Sequence, residues 1–181
     1  MKKAVLMLLL LSSALAVKTV VAQEIESADP ADVGSIDAVI HSLYEVISGG
    51  IDEPRDWDRM RSLFIDEAQL IPSGTRPDGS RNGFRVMSVE EWITEVGPLL
   101  MSDGFFETET HRVTEQFGHV AHAFSTYDSR HSADDEEPFS RGINSFQLFN
   151  DGARWWVVSV YWTAETPNLA IPEKYEYEGD M

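Results

Sequence analysis

The sequence predicts an α+β domain in which three helices pack on one face of an antiparallel β-sheet. In the first half of the chain, apolar residues recur at spacings of three and four, as in amphipathic helices. From Phe105 onward the period changes to two, as in strands with one buried face. Because helical and strand segments follow one another rather than alternate, we expect the helices to lie together on one face of the sheet.

The length and composition exclude several classes of protein. A chain of 181 residues fits a single domain. Its 43% hydrophobic and 25% charged residues are close to the averages of globular proteins, which excludes a fully disordered or multi-span membrane chain. Since the sequence contains no cysteine, disulfides, thiolate nucleophiles and cysteine-ligated metal sites are excluded as well.

Residues 1–22 have the three-part layout of a secretory signal peptide. Lys2 and Lys3 precede an apolar run, and small residues suited to cleavage lead to Ala22. The apolar run is shorter than the roughly 20 residues that a membrane-spanning helix needs. We therefore predict cleavage after Ala22 and a periplasmic or secreted protein that is not attached to the membrane.

Cleavage at this point changes the formal net charge from −17 to −20, because 11 of the 14 basic residues remain beside all 31 acidic ones. Nucleic acid is therefore not an expected partner, since its binding depends on cationic side chains that displace phosphate counterions. The acidic, proline-containing segment 23–33 is predicted to be a mobile leader ahead of a domain that spans residues 34–163.

Two helices and a short strand are predicted at the start of the domain. Ser35 is the expected N-cap of the first helix, which ends at Gly49-Gly50. The second, shorter helix covers Asp56 to Phe64. A brief strand from Ala68 to Ile71 follows, and Pro72 is expected to end it.

A long loop and a third helix complete the helical half. Residues 73–87 are rich in glycine and contain three arginines, which indicates a loop. Ser88 and Glu91 form a capping box at the start of the third helix, which Gly97-Pro98 should close.

Four long strands fill the second half, at about 105–117, 119–131, 139–150 and 154–163. Gly118, the acidic run 132–138 and Asp151-Gly152 mark the turns between them. We expect residues 164–181 to form an extended C-terminal tail.

The hairpin around Gly118 decides which face of the sheet is inside. Val113 and Phe124 share one of its faces, and we predict that this apolar face packs against the helices. With a two-residue turn, the same face carries several titratable or polar residues: Glu109, His111, Glu115, His122, Thr126 and Asp128. Burial of such groups without partners is costly, so they either pair with one another or line a wet cavity.

The last strand is apolar on both sides, so its second face also needs a cover. A second copy of the chain would provide that cover, and we predict a homodimer. The alternative is that the C-terminal tail folds back over the sheet.

Several segments resemble the SnoaL-like branch of the nuclear-transport-factor-2-like superfamily. They are Asp56-Trp57-Asp58-Arg59 leading into 63–68, Arg141-Gly142-Ile143-Asn144-Ser145, and Gly152 to Ser159. The resemblance implies a cone-shaped, cystatin-like fold, in which a curved sheet wraps over three helices and leaves a pocket at the open end. Dimers are frequent in this superfamily.

The resemblance implies several functions. Members include ketosteroid isomerases, dehydratases and proteins that only bind. Tyr44 matches the isomerase tyrosine, but the isomerase aspartate base would fall near Pro72. In a dehydratase-like protein His111 would act as the general acid or base, although the Tyr-Asp pair of those enzymes has no counterpart between Gly49 and Arg55.

We therefore expect an exported domain that binds a small apolar or carboxylate-bearing molecule, without a cofactor or metal and with no assigned reaction. The predicted pocket-lining residues are Tyr44, Trp92, Glu109, His122, Phe124, Thr126 and Asn144. One alternative is a cofactor-free lyase or isomerase in which His111 and Asp128 move protons. Another is a dimeric interaction module that binds no ligand.

Overall fold

The computed structural model describes residues 28–75 and 82–176. The predicted signal peptide and residues 23–27 of the predicted leader lie outside these ranges. The helices are α1 (Pro30–Val33), α2 (Ile36–Ile47), α3 (Trp57–Leu63) and α4 (Val89–Asp103). The strands are β1 (Phe64–Thr75), β2 (Asn82–Phe84), β3 (Met87–Ser88), β4 (Phe106–Phe117), β5 (Val120–Arg130), β6 (Ser140–Asn150) and β7 (Trp155–Ala164). None of the described helices is long and apolar enough to cross a lipid bilayer.

In the described part of the chain the strands form one sheet in the order β2-β1-β7-β6-β5-β4, with β3 beside β1. The four long strands β4 to β7 are antiparallel, as predicted. β1 instead joins β7 in a parallel pair, so the sheet is mixed. β1 comes before α4 in the sequence, and the strands β4 to β7 come after it. No hairpin therefore joins β1 to β7, and the direction of β1 does not follow from a tight turn. Helices pack on one face of the sheet, which confirms the α+β fold class.

The predicted helix starts are confirmed by their caps. The Ser35 hydroxyl accepts a hydrogen bond from the amide of Ala38 at 3.0 Å, and the Asp56 carboxylate accepts one from the amide of Arg59 at 2.9 Å. Ser88 and Glu91 bond reciprocally in a capping box at the start of α4. These local bonds satisfy amide groups that a helix leaves free at its first turn.

Both segments that were expected to end at a proline are longer. α4 continues through Pro98 to Asp103, because Leu100 in the following turn is buried in the core. Its Gly97 allows Trp57 to approach closely, since a Cβ atom there would lie 2.9 Å from Trp57 Cζ2. β1 likewise continues through Pro72, whose carbonyl accepts a hydrogen bond from the amide of Arg85 at 3.1 Å.

The segment predicted as the loop 73–87 begins with the last residues of β1, contains β2 and ends with the first residue of β3, and both β2 and β3 pair with β1. Residues 76–81, with Arg76 and Arg81, lie outside the described residues. Arg85 forms an ion pair with Glu95 at 2.5 Å on the surface. The third arginine of this segment is therefore engaged within the protein.

The end of the predicted leader is part of the domain. Residues 30–33 form α1, and Asp32 is buried. The Nε atom of Arg59 donates to Asp32 at 2.8 Å, and the Ser42 hydroxyl donates to it at 3.0 Å. These bonds, above all the one from Arg59, lower the pKa of Asp32.

The C-terminal segment crosses the outer face of the sheet, which is the face away from α2. The Thr126 hydroxyl donates to the carbonyl of Tyr175 at 2.6 Å, and the ring of Phe124 lies 5.2 Å from that of Tyr175. Arg141 bonds Glu165 at 3.3 Å and Glu176 at 2.9 Å. The tail thus covers part of this face, as in the alternative to dimerisation.

Candidate functional site

A cavity of about 340 Å³ lies between the inner face of the sheet and helices α2 and α4. Most of its wall is apolar. The aliphatic contributions are Leu43, Ile47, Met60, Leu70, Val96, Leu100 and Val160. Volume and lining are typical of sites that bind small organic molecules.

Aromatic side chains make up much of the remaining wall. They come from every layer of the fold and are Tyr44, Trp92, Phe105, Tyr127, Phe139, Phe146 and Trp162. Trp92 of α4 is held edge-on against Trp57 of α3, with ring centroids 6.3 Å apart. Phe146 packs edge-on against Tyr44 at 6.2 Å. Edge-on contacts of this kind are favourable, so they help to hold Trp92, Phe146 and Tyr44 in place.

Glu107 of β4 is the one charged side chain among the described residues of the wall. Its Oε1 atom accepts a hydrogen bond from Asn144 Nδ2 at 3.1 Å, and its Oε2 atom accepts one from the Ser129 hydroxyl at 2.8 Å. Burial raises the pKa of Glu107 to about 7, and the two hydrogen bonds, which favour the ionised form, offset only part of this effect. The carboxyl group therefore gains and loses its proton near neutral pH.

A chain of hydrogen bonds leads from Glu107 to a second carboxylate. Asn144 Nδ2 also donates to the Tyr44 hydroxyl at 3.0 Å, and the hydroxyls of Tyr44 and Ser125 lie 2.7 Å apart. Ser125 donates its proton to Glu109 at 2.5 Å. Since the Ser125 proton is committed to Glu109, the proton between Tyr44 and Ser125 must come from Tyr44.

Tyr44 is therefore a donor within the protein rather than toward the cavity. Burial, together with the nearby charge of Glu107, raises the pKa of Tyr44 above its ordinary value, so the phenol stays protonated. The pKa of Tyr127 is raised for the same two reasons. Glu107 is thus the wall residue that changes charge near pH 7.

The far end of the hydrogen-bond chain is an ion network. Arg112 Nε lies 3.5 Å from Glu109 Oε1, and Arg112 also pairs with Asp37 of α2. Glu109 therefore has a basic partner. None of the described lysine, arginine and histidine side chains pairs with Glu107 in this way.

Three of the residues predicted to line a pocket do line this cavity: Tyr44, Trp92 and Asn144. Glu109, His122, Phe124 and Thr126 do not line this cavity. Glu109 points to the helix side of the sheet but bonds Ser125 and Arg112 instead. The other three lie on the outer face, where His122 bonds Ser145 at 3.0 Å and the tail covers Phe124 and Thr126.

The two residues predicted to be catalytic are also outside the cavity. His111 is paired with Thr126 in the sheet and shares the outer face with it. Asp128, on the same face, forms ion pairs with Arg130 at 3.2 Å and Arg141 at 3.0 Å. Neither side chain can reach a molecule held between the sheet and the helices.

The choice of the hairpin face was wrong, although the register was correct from the turn to the pair of His111 and Thr126. Val113 pairs with Phe124 and Phe117 with Val120, as predicted. The opposite face of β5 packs against the helices and carries mainly small residues, namely Ala121, Ala123, Ser125, Tyr127 and Ser129, all of them buried. Tyr44 of α2 reaches this face, where its hydroxyl lies 2.7 Å from that of Ser125, whereas the larger Phe124 points outward.

A β-bulge in β4 also changes which of its side chains face the helices. Glu109 pairs with Tyr127 and His111 with Thr126, so Thr110 is an extra residue. The alternation of side chains is therefore reversed between Glu109 and His111. Glu107 and Glu109 point to the helix side, while His111 and Val113 point outward.

The polar cavity residues outside the predicted set are Ser73, Glu107, Tyr127, Ser129 and Ser140. One signal could have identified the face of Tyr127 and Ser129. Small residues alternate along 121–129, and Gly142 lies on the neighbouring strand β6 beside Tyr127. A row of small side chains in a long strand indicates close approach by another element.

The described residues include no group of three or more histidine, aspartate and glutamate side chains placed to hold a metal ion. The cavity itself offers one carboxyl group, the hydrogen-bond partners of that group and an aromatic wall.

Comparisons with known proteins agree on the fold. No family model and no curated protein matches the chain. A protein of unknown function from Pseudomonas putida, described as nuclear-transport-factor-2-like, has a TM-score of 0.55 at 13% identity, covering 86% of this chain and 99% of that chain. A protein of unknown function with a cystatin-like fold from Nostoc punctiforme has a TM-score of 0.55 at 10% identity, with 73% and 90% covered.

A third similar structure has the same architecture. It is a nuclear-transport-factor-2-like protein of unknown function from Silicibacter pomeroyi, with a TM-score of 0.51 at 13% identity, covering 73% of this chain and 94% of that chain. At such identities the likeness concerns the fold and not the activity. The domain therefore has the cystatin-like fold of the nuclear-transport-factor-2-like proteins, as the resemblance in its sequence implied.

Proposed function

We propose that this domain binds one small, largely apolar molecule in the cavity, with its polar group against Glu107. The observation that carries the proposal is a cavity of about 340 Å³ whose apolar and aromatic wall holds a single carboxyl group. Such a wall removes an apolar ligand from water, and one polar group can orient it.

Of the two ligand classes expected from the sequence, the apolar one fits this wall better. An ionised ligand carboxylate would lie near Glu107, and like charges in a site of low polarity repel strongly. The described wall residues include no lysine, arginine or histidine that would offset this repulsion.

A thermal-shift screen tests the proposal with two variants of α4. A ligand that binds only the folded state stabilises it by about 2.7 kcal/mol at a hundredfold excess over its Kd. Val96→Phe places a larger side chain in the wall and should abolish the shift given by any such ligand. Leu99→Phe, at an exposed position of the same helix, should leave it unchanged. A shift that survives Val96→Phe, or a library of steroids, aromatic polyketides and fatty amines or alcohols without any shift, would contradict the proposal.

A second candidate function is proton transfer without a cofactor, as in a lyase or isomerase. The observation that favours it is that the pKa of Glu107 lies near 7 inside the cavity, where a carboxyl group can both accept and donate a proton. In this proposal Glu107 takes the part that the sequence assigned to His111.

The two functions differ in the effect of Glu107→Gln on a ligand found in the screen. For a catalyst, the variant should still bind the ligand but lose turnover by at least a hundredfold, which is the usual contribution of a general base. The rate of the unchanged protein should follow a titration near pH 7. Equal turnover in both proteins would exclude this role for Glu107.

We also propose that the protein is exported. The support is the layout of residues 1–22, and N-terminal sequencing of the protein purified from the cells' periplasm or medium should yield Gln23 as the first residue. Retention of Met1 in the cytoplasmic fraction would contradict export.

A further inference from the structure

The charge balance of the cavity is unusual for a site that holds a carboxyl group. Glu107 accepts hydrogen bonds from Asn144 and Ser129, but both donors are uncharged. Its neighbour Glu109 has Arg112 beside it, whereas Glu107 has no basic partner among the described residues. An ionised Glu107 is thus a negative charge that the protein leaves uncompensated, which costs free energy until a cation approaches.

The wall around this carboxyl group is suited to a cation. Seven aromatic rings line the cavity. The face of an aromatic ring attracts a cation, most strongly where water is excluded. The hydrogen bonds also favour a donor ligand, because Glu107 lines the cavity and its carboxylate oxygens act as acceptors, while the Tyr44 proton is directed to Ser125.

The net charge of the whole chain also favours a cationic ligand. With a formal net charge of −17, the protein attracts cations from solution and repels anions.

We propose that the ligand is a protonated amine with an apolar body, whose ammonium group donates to Glu107 and whose body packs against the aromatic wall. This inference rests on the proposed binding function and specifies its ligand class.

The ionisation of Glu107 makes the inference testable by pH. The titratable groups around it are Tyr44 on α2, Tyr127 on β5 and Glu109 on β4, while α4 and β7 contribute uncharged side chains such as Trp92 and Trp162. Both tyrosines have raised pKa values, so neither changes charge between pH 6 and 8. An ammonium ion favours the ionised carboxylate, and with a pKa of about 7 that form increases about tenfold between pH 6 and 8.

The experiment compares three probes of matched size: 4-phenylbutylamine, 4-phenylbutan-1-ol and 4-phenylbutanoate. Their dissociation constants are measured by calorimetry at pH 6 and pH 8 and constant ionic strength. We expect the amine to bind at least tenfold more tightly than the other two at pH 8 and to weaken about tenfold at pH 6. In Glu107→Gln the preference for the amine should disappear. In Glu115→Gln, a substitution at an exposed position of the same strand, it should remain.

A second measurement needs no variant and covers the case in which Glu107→Gln fails to fold. At pH 6.5, calorimetry in buffers of different ionisation enthalpy should detect a proton released when the amine binds and none when the alcohol binds.

The outcomes separate this inference from the proposed function. If the alcohol or the carboxylate binds as tightly as the amine, or if amine binding releases no proton, the inference is wrong while binding in the cavity stands. If none of the probes binds but another apolar compound of the screen does, the inference is wrong as well. If no compound binds at all, the proposed function itself fails.

Discussion

Glu107 faces the cavity on β4, two residues before Glu109 and on the same side of the sheet. The pKa of this carboxyl group depends on the side chains around it. Two uncharged donors and an apolar wall are insufficient to keep the carboxyl group ionised well below pH 7. Because its pKa is higher in the folded state than in the unfolded chain, the proton that it holds is linked to stability.

We expect the folded state to lose stability between about pH 4.5 and pH 7 on account of Glu107. Over this range the unfolded chain ionises the group, while the folded protein retains the proton, so the free energy of unfolding decreases by up to about 3 kcal/mol. Glu107→Gln removes this contribution. Urea unfolding at pH 5 and pH 8 should therefore show a smaller decrease for the variant than for the unchanged protein. Parallel decreases in both proteins would contradict the raised pKa.

At the scale of elements, Arg55 connects the ends of two helices. Its buried guanidinium donates to the carbonyls of Ile47 and Gly49 at the end of α2 and to that of Leu100 in α4. Carbonyl groups near the last turn of a helix lack partners within the helix. Arg55 thus holds α2 and α4 in the relative position that opens the cavity between them and the sheet.

Replacement of Arg55 should destabilise the fold. Arg55→Lys keeps the positive charge but cannot reach several carbonyls at once, because an ammonium group lacks the planar fork of donors. We expect a loss of at least about 2 kcal/mol in the free energy of unfolding. Arg61→Lys provides the control, since its pairs with Asp58 and Glu90 lie on the surface and contribute about 1 kcal/mol or less. Equal losses in the two variants, measured by urea unfolding, would argue against this role of Arg55.

At the scale of the whole molecule, the two faces of the sheet have different covers. Helices pack on the inner face, and the C-terminal segment covers the part of the outer face around Phe124 and Thr126. Apolar side chains near the β4–β5 turn remain exposed, including Phe117, whose exposed fraction is 87%. The tail therefore covers one part of the outer face, and a second copy of the chain would cover another part, near the β4–β5 turn.

Docking of the tail should depend on Thr126. Thr126→Val preserves the shape of the side chain but leaves the Tyr175 carbonyl without its donor, at a cost of about 1 kcal/mol. Hydrogen exchange should become several-fold faster in the amides of residues 169–176 and stay unchanged in α2. Thr108→Val, at an exposed position on β4, is the matched control and should have no effect on the tail.

The homodimer remains a prediction, and the exposed apolar residues indicate where it would form. Phe117→Ser should shift the monomer–dimer equilibrium measured by sedimentation toward the monomer, because it removes apolar area from the expected contact. Phe84→Ser, at an exposed position on β2, should have no such effect. Sedimentation of the unchanged protein as a monomer at all concentrations would rule out the dimer.

Much of the fold follows from local patterns in the sequence. The caps at Ser35, Asp56 and Ser88 mark the helix starts, and the period of two marks the four long strands. The turn at Gly118 sets the register of the β4–β5 hairpin. These features depend on neighbouring residues, so a single sequence contains the information for them. Even so, proline was a poor guide to the ends of β1 and α4, because distant residues keep both segments in place.

The identity of the cavity residues was decided by the tertiary structure. Alternation shows which residues of a strand share a face, but only the packing of the helices against the sheet determines which face is inside. The bulge at Thr110 separates Glu107 from His111, although both stand at odd positions of one strand. Tyr44, Asn144 and Glu107 are far apart in sequence and meet only in the folded protein. The raised pKa of Glu107 arises from that meeting, because burial by residues from several elements, rather than the local sequence, removes the carboxyl group from water.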